Sequence, residues 1–167
     1  DIYGQEHEAL MLAWRLTDIE EIDNSLVEVA NKVLYNGTTG LLDANITNNQ
    51  YALETFAQII TLNDYGFMII YAVPKDGQTL DELKELLLCE IKNLGDGNFD
   101  ESLVASAVSN LKRSEDESLL DNYARTEKFS VHFIYGTDWA KYYRGLDDVC
   151  KDDIIDFANT YLNDSNY

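Results

Sequence analysis

The chain has a single proline, Pro74, two cysteines, two histidines, and only 12 Lys and Arg against 31 Asp and Glu in 167 residues. Each scarcity excludes something. At a net charge of -19 the surface repels the phosphates on which nucleic-acid binding depends, and an anionic bilayer as well, so neither is an expected partner. No apolar run approaches the roughly 20 residues of a membrane span, and the opening DIYGQEHEAL lacks the basic-then-apolar layout of a signal peptide. No membrane insertion is expected. Cys89 and Cys150 fit one disulfide or two free thiols equally well, and their spacing is not that of a C-x-x-C zinc or redox site.

The histidines, His7 and His132, lie far apart, and neither stands in H-E-x-x-H or H-x-x-E-H spacing, so no metal ligand is assigned. His7, between Glu6 and Glu8, reads as an exposed histidine near a strand start, and His132 as a packed or half-exposed one on an aromatic helix face. There is no G-x-S-x-G elbow and no phosphate-binding loop. The nearest glycine cluster, NGTTG at 36–40, has no basic residue after it. With 31 carboxylates, any two can be nominated as general acid and base, so no catalytic residue is assigned. Three N-x-S/T sequons, at Asn36, Asn45 and Asn163, carry meaning only in a eukaryotic secretory pathway.

What is present is enough apolar material, 46%, to build one core, and residues 1–167 are expected to form a single domain. The acids are interleaved with aliphatic and aromatic residues, as on a solvated surface of an ordered chain. ALMLAWRL at 9–16 is nearly continuous apolar and predicts a buried strand. Ile22, Leu26, Val29, Ala30, Val33 and Leu34 recur at helical spacing up to the stop at Asn36-Gly37, and GLLDANI predicts a helical turn or two. Residues 52–62 and 67–73 flank Asn63-Asp64-Tyr65-Gly66 and predict a hairpin, with FMIIYAV in the centre of the sheet and Pro74 ending the pairing.

The stretch PKDGQTLDELKELL carries the best-written helix start. Thr79 with Glu82 makes a capping box, Leu83, Leu87, Ile91 and Leu94 mark one face, and Gly95 and Gly97 end the helix. Asp100 caps a further helix with Leu103, Val104, Ala107, Val108 and Leu111 inward, until a polar interruption at KRSEDES. The buried stripe is expected to resume at Leu119, Leu120, Tyr123 and Ala124. EKFSVHFIYG keeps both periods, and helix is the reading preferred. Two shorter helices close the chain, residues 139–144 after Asp138 and residues 152–162 with Ile154, Ile155, Ala158 and Leu162 inward. Cys150 stands where Ser or Thr would cap, with Asp153 completing a box, and is read as a substituted cap. Of 11 tyrosines, Tyr123, Tyr135, Tyr142, Tyr143 and Tyr161 fall on the helical half, where such rings sit at the border of the core or of a partner surface. The order of elements describes an α+β two-layer sandwich, a mostly antiparallel sheet covered on one face by helices.

The phrases LMLAWRL, YGFMIIYAVPKDGQTLDELKELLLCEIKNLGDGNFDESLV, FIYGTDWAKYY and DDVCKDDIIDFANTYL, in that order, resemble the pitrilysin/insulinase family of zinc metallopeptidases (inverzincins). The likeness, over about Glu8 to Asn163, is to the non-catalytic repeat domain of its large multi-domain bacterial members. It implies a two-layer domain of the LuxS/MPP-like type, excised from a longer chain with a terminal strand or two missing. It also implies zinc in the parent's catalytic domain and none in this fragment, since the H-x-x-E-H motif is absent. The implied partners are other domains of the same polypeptide and, in the full-length protein, a peptide substrate held in an internal chamber. The implied localisation is the periplasm or cell envelope. The alternative is a scaffold or assembly module from a family member that has lost proteolysis. Counterparts in the second half of such proteins hold substrate with an arginine followed by a tyrosine. Here GLLDANITNNQYALET contains Tyr51 but no Arg or Lys, so no substrate-binding residue is carried over. An acidic chamber wall would favour basic peptides.

Overall fold

A strand that is apolar on both faces needs cover on both faces or a central place in its sheet, and Phe67–Val73 has the central place. The computed structural model describes residues 8–17, 22–62 and 64–167. In it β1 (Leu10–Leu16), β2 (Glu54–Thr61) and β3 (Gly66–Val73) form one antiparallel sheet in the order β1-β3-β2. Across it Ala13 and Gln58 both sit opposite Ile69. The helices are α1 (Asn24–Leu34), α2 (Leu80–Gly95), α3 (Ser102–Ser118), α4 (Asn122–Ile134), α5 (Trp139–Gly145) and α6 (Lys151–Tyr161), with a π-helical turn at Asp43–Thr47. This is the α+β arrangement expected from the sequence, with helices on one face of the sheet.

Alternation decides which sheet face is covered. Leu12, Trp14 and Leu16 of β1, Ala57 of β2, and Met68, Ile70 and Ala72 of β3 are buried, and they join one core with α1, α2, α3 and α6. Val29, Ala30 and Val33 come from α1, Leu83, Leu87 and Leu94 from α2, and Ile154 and Phe157 from α6. Each fully buried Leu or Ile contributes about 1.5–3 kcal/mol of transfer free energy. ALMLAWRL is therefore not buried throughout. It is an edge strand with one wet face, on which Met11 is 62% exposed.

The helix starts follow the side chains expected to make them. Thr79 Oγ1 accepts from the Glu82 N–H at 3.2 Å while Glu82 Oε2 accepts from the Thr79 N–H at 2.9 Å. Those bonds hold the Glu82 carboxyl below the usual carboxylate range. Asp100 Oδ1 accepts from Ser102 N–H at 2.7 Å at the entry to α3. Asp153 accepts from Cys150 N–H at 2.8 Å, and hydrogen bonds from Cys150 hold its carboxyl low. At the end of α2, Gly97 takes φ +72 and lets Asn98 N–H reach back to Asn93 O at 2.8 Å. Both thiols are free and exposed.

NGTTG proves to be an anion cradle filled from within the chain. The N–H groups of Asn36, Gly37 and Gly40 donate to Asp43 Oδ2 at 3.0, 3.0 and 3.1 Å, and Asp43 is buried. Only glycine fits at 40, because a Cβ there would stand 2.8 Å from the Leu34 carbonyl oxygen. At the other end of the chain, Arg15 N–H donates to Asn166 O at 3.4 Å and Asn166 Nδ2 donates to Arg15 O at 2.8 Å, on the outer edge of β1.

Two expectations fail on the helical side. KRSEDES does not interrupt α3, since polar residues of adequate helix propensity carry it on to Ser118 as solvated last turns. The stripe that follows is not buried. Leu120 is 84% and Tyr123 76% exposed, and no residue of α4 is buried. The helical reading of EKFSVHFIYG holds, because α4 spans Asn122–Ile134.

Candidate functional site

The uncovered face of the sheet is built by the residues that alternate with the core. Its rows are Met11–Tyr71–Phe56, Ala13–Ile69–Gln58 and Arg15–Phe67–Ile60, set side by side by the strand register. Met11 and Phe56 are exposed, and Phe67, Ile69 and Tyr71 are half-buried. Aromatic pairs flank it. Tyr35 meets Phe56 edge-on with ring centroids 5.4 Å apart, and Tyr65 meets Phe67 at 5.1 Å with the Arg15 guanidinium 5.2 Å from the Tyr65 ring centre. Burial, then the carboxylates of Asp43 and Glu54, push the Tyr35 hydroxyl up. Arg15 and Glu54 are the charged side chains that the three strands turn to this face, so the acidity of the chain is carried elsewhere and the strands do not form an acidic wall.

Tyr51 stands ahead of β2 and is 48% exposed. The stretch around it holds no cation, yet Lys75, from beyond Pro74, brings its Nζ to 5.7 Å from the ring centre and donates to Gln50 O at 3.4 Å. Sequence reasoning missed this pairing because the two residues are joined only through the β2–β3 hairpin. Gln78 Nε2 donates to Tyr51 O at 2.9 Å and steadies the same corner.

The helical side holds a second set of polar groups. Glu115 Oε2 accepts from Trp139 Nε1 at 2.6 Å and pairs with Lys128, whose Nζ also donates to Ser118 Oγ at 2.6 Å. One carboxylate thus ties α3, α4 and α5. Nearby, His132 Nδ1 lies 2.7 Å from Thr137 Oγ1, and burial holds the imidazole below its usual value, with Glu115 opposing and Lys128 reinforcing the shift. Glu28 of α1 is raised by burial, against the pull of Lys32 and helped by Glu115, and Tyr142 is raised by burial and then by Glu28 and Glu115. A groove of about 890 Å³ runs along α3, lined by Val104, Val108, Lys112, Asp116, Tyr143 and Leu120. Lys112 pairs with Asp147 across it.

These groups make packing and helix-joining contacts, and none is a nucleophile set against a base. The donor set does not fit zinc. His132 is engaged with Thr137, His7 lies outside the described residues, and among the described residues no three His, Cys, Asp or Glu side chains are placed to share a metal ion. The buried Glu90 carboxylate is satisfied by Asn45 Nδ2 at 2.7 Å and Asn93 Nδ2 at 3.2 Å. That contact also engages the amide nitrogen of one sequon, as Lys32 O engages Asn36 and Thr160 O engages Asn163. Among the described residues no helix is long and apolar enough to cross a membrane.

Solved structures share this fold at low identity. A protease from Helicobacter pylori is 16% identical, with a TM-score of 0.89 over 95% of this chain and 39% of that one. The inactive peptidase domain of a zinc protease from Bordetella parapertussis is 18% identical, with a TM-score of 0.81 over 97% and 91%. The periplasmic protease PqqL from Escherichia coli is 13% identical, with a TM-score of 0.73 over 92% and 18%. The chain thus spans about two-fifths of the Helicobacter pylori protein. No curated protein matches it. The family model described as "Peptidase M16 inactive domain" matches residues 2–111, more than half of the sequence, and the chain belongs to that family of non-catalytic domains of zinc proteases.

Proposed function

We propose that this chain is a non-catalytic domain of a larger zinc metalloendopeptidase, in which it supports the catalytic domain and presents its uncovered sheet face to peptide substrate. The observation that carries the reading is that face itself. It is an antiparallel surface of Phe56, Tyr71, Ile69 and Met11 without a charge cluster, in a domain whose family is named for lacking activity. Apolar and aromatic side chains at strand spacing can hold an extended peptide through its alternate residues, while an excess of one charge would disfavour peptides of the same sign. Tyr51 with Lys75 supplies a polar corner at one end of the surface. In this reading zinc and the activation of its water belong to another domain, in keeping with the lack of any group of three His, Cys, Asp or Glu placed to share an ion among the described residues. The periplasm or cell envelope is the matching location, supported by the periplasmic protease among the structural neighbours.

The test is made on the full-length protein. Phe56→Asp and Tyr71→Asp should raise KM for an unstructured peptide about tenfold, equivalent to roughly 1.4 kcal/mol of binding, with kcat changed much less. Unchanged KM in both variants would refute the peptide-facing surface. Cleavage of peptides by residues 1–167 alone, or stoichiometric zinc retained by them after dialysis, would refute the non-catalytic reading.

A further inference from the structure

Asn36-Gly37 is the sole Asn-Gly pair in the sequence, and it opens the NGTTG loop. In an unrestrained chain such a pair is chemically labile. Gly37 has no side chain, so its main-chain nitrogen can reach Cγ of Asn36. The nitrogen gives its proton to water and its electron pair to Cγ, and the Cγ–Nδ2 bond breaks as ammonia leaves. The five-membered imide so formed takes up water at either carbonyl and opens to aspartate or isoaspartate. The net reaction is amide plus water to carboxylate plus ammonium.

Burial does not prevent this here. Gly37, Thr38 and Thr39 are exposed, and nothing but its chain neighbours lies within 4 Å of the point where a Cβ would stand on Gly37. Hydrogen bonds restrain the reaction instead. Gly37 N–H donates to Asp43 Oδ2 at 3.0 Å, so the nucleophile is engaged by a carboxylate whose negative charge opposes loss of the proton. The leaving group is engaged too, since Asn36 Nδ2 donates to Lys32 O at 3.1 Å and to Thr39 Oγ1 at 3.3 Å. Asn36 Oδ1 accepts from Thr38 N–H at 3.1 Å and from Thr39 N–H at 2.9 Å. Those two donors polarise the carbonyl and favour attack on it, which leaves the hold on Gly37 N–H as the decisive restraint. Asp43 also takes the N–H groups of Asn36 and Gly40, so one carboxylate pins the loop on both sides of the pair.

We propose that Asn36-Gly37 is a modification site held closed by Asp43, and that it deamidates when the loop at 36–43 opens. Reclosing does not undo the change. A carboxylate at 36 has no Nδ2 donor for the Lys32 carbonyl, and it sets a second negative charge in the loop that Asp43 already occupies. The isoaspartyl form also adds a main-chain carbon between the N–H groups of residues 36 and 37, which now share one acceptor. Each opening long enough to react leaves the loop weaker, so conversion records time spent open.

The experiment follows the full-length protein in mildly alkaline buffer, folded or in urea above its unfolding transition, by mass spectrometry of the peptide that carries position 36. Folded parent should convert about tenfold or more slowly than unfolded parent. Asp43→Ala, still folded, should convert about tenfold or more faster than the parent. Asp43→Asn keeps a neutral acceptor and should fall between the two, and it decides the matter if the alanine variant does not fold. Isoaspartate formation at Asp96-Gly97, at the end of α2, is the internal control and should not change in folded variants. Equal rates in folded and unfolded parent overturn the proposal. Faster conversion in the folded parent also overturns it, because the cradle then promotes the reaction. Folded Asp43 variants that convert no faster than the parent, or that accelerate both sites alike, show that this carboxylate is not the restraint and overturn it as well.

Discussion

Replacing Asp43 by alanine removes the acceptor of three main-chain N–H groups at once. Hydrogen bonds to a charged group contribute about 1.5–3 kcal/mol each when both partners are withdrawn from water. The three are not equal. The bond from Gly40 is buried, and those from Asn36 and Gly37 are half-buried, where water can take over part of the lost acceptor. Counting the first in full and the others at a fraction, Asp43→Ala should cost about 3–4 kcal/mol, a large part of the 5–15 kcal/mol typical of a domain. Asp43→Asn keeps a neutral acceptor and should cost about 1–2 kcal/mol. In urea, with a slope near 2 kcal/mol/M, the alanine variant should unfold about 1.5–2 M earlier than the parent. Hydrogen exchange should locate the damage at the Gly40 amide. A loss below about 1 kcal/mol, or a Gly40 amide as protected as before, would show that the loop is held by its own turns and that the carboxylate is incidental.

Three further outcomes follow from local geometry. Thr79→Ala should lower stability by about 1 kcal/mol in urea titration, with the lost protection confined to the first turn of α2, and a cost near zero would mean that the capping box is not closed in solution. Burial holds His132 below its usual value, so the unfolded chain takes up that proton first as pH falls. Stability should decline as pH drops through about 6.5 and level off below the folded value. His132→Gln should flatten that decline in thermal melts between pH 7 and 5, and parallel curves would rule the histidine out as a contributor. Gln50 sits at φ 59, a left-handed conformation that costs a residue with a Cβ on the order of 1 kcal/mol. Gln50→Gly should therefore stabilise by about 0.5 kcal/mol after the added freedom of the unfolded chain is allowed for, and a loss would show that the side chain has a role of its own.

Most of the fold was legible because local signals agreed with one another. FMIIYAV announced a central strand by being apolar on both faces, and Thr79 with Glu82 announced a helix by spacing alone. Burial on the α3–α5 side was misread because period 3.6 reports which residues share a face, not whether anything lies against it. Leu120 and Tyr123 have the phase of core residues and the exposure of surface ones. The site suffered in the same way. Alternation in β1 is hidden by Met11 and Ala13, which are apolar residues on the wet side. The approach of Lys75 to Tyr51 depends on a hairpin register that no single window of sequence contains. Asp43 was legible only as one acid among 31, although an acid three residues beyond a glycine-rich turn is the signal that could have found it.

The two hydrogen bonds between Arg15 and Asn166 join positions 151 apart in sequence, and this sets an order on assembly. At synthesis rates of about 5–20 residues per second, Asn166 emerges about 8–30 s after Arg15. The β2–β3 hairpin needs only local contacts and can close within that interval, on a scale of microseconds. β1 can join β3 once the hairpin exists, but its outer edge at Arg15 stays unguarded until α6 has formed and the segment after it has turned back. Nascent chains stalled before α6 should therefore be the ones that pair edge to edge with their neighbours, whereas those extended past Asn166 carry the guard in place.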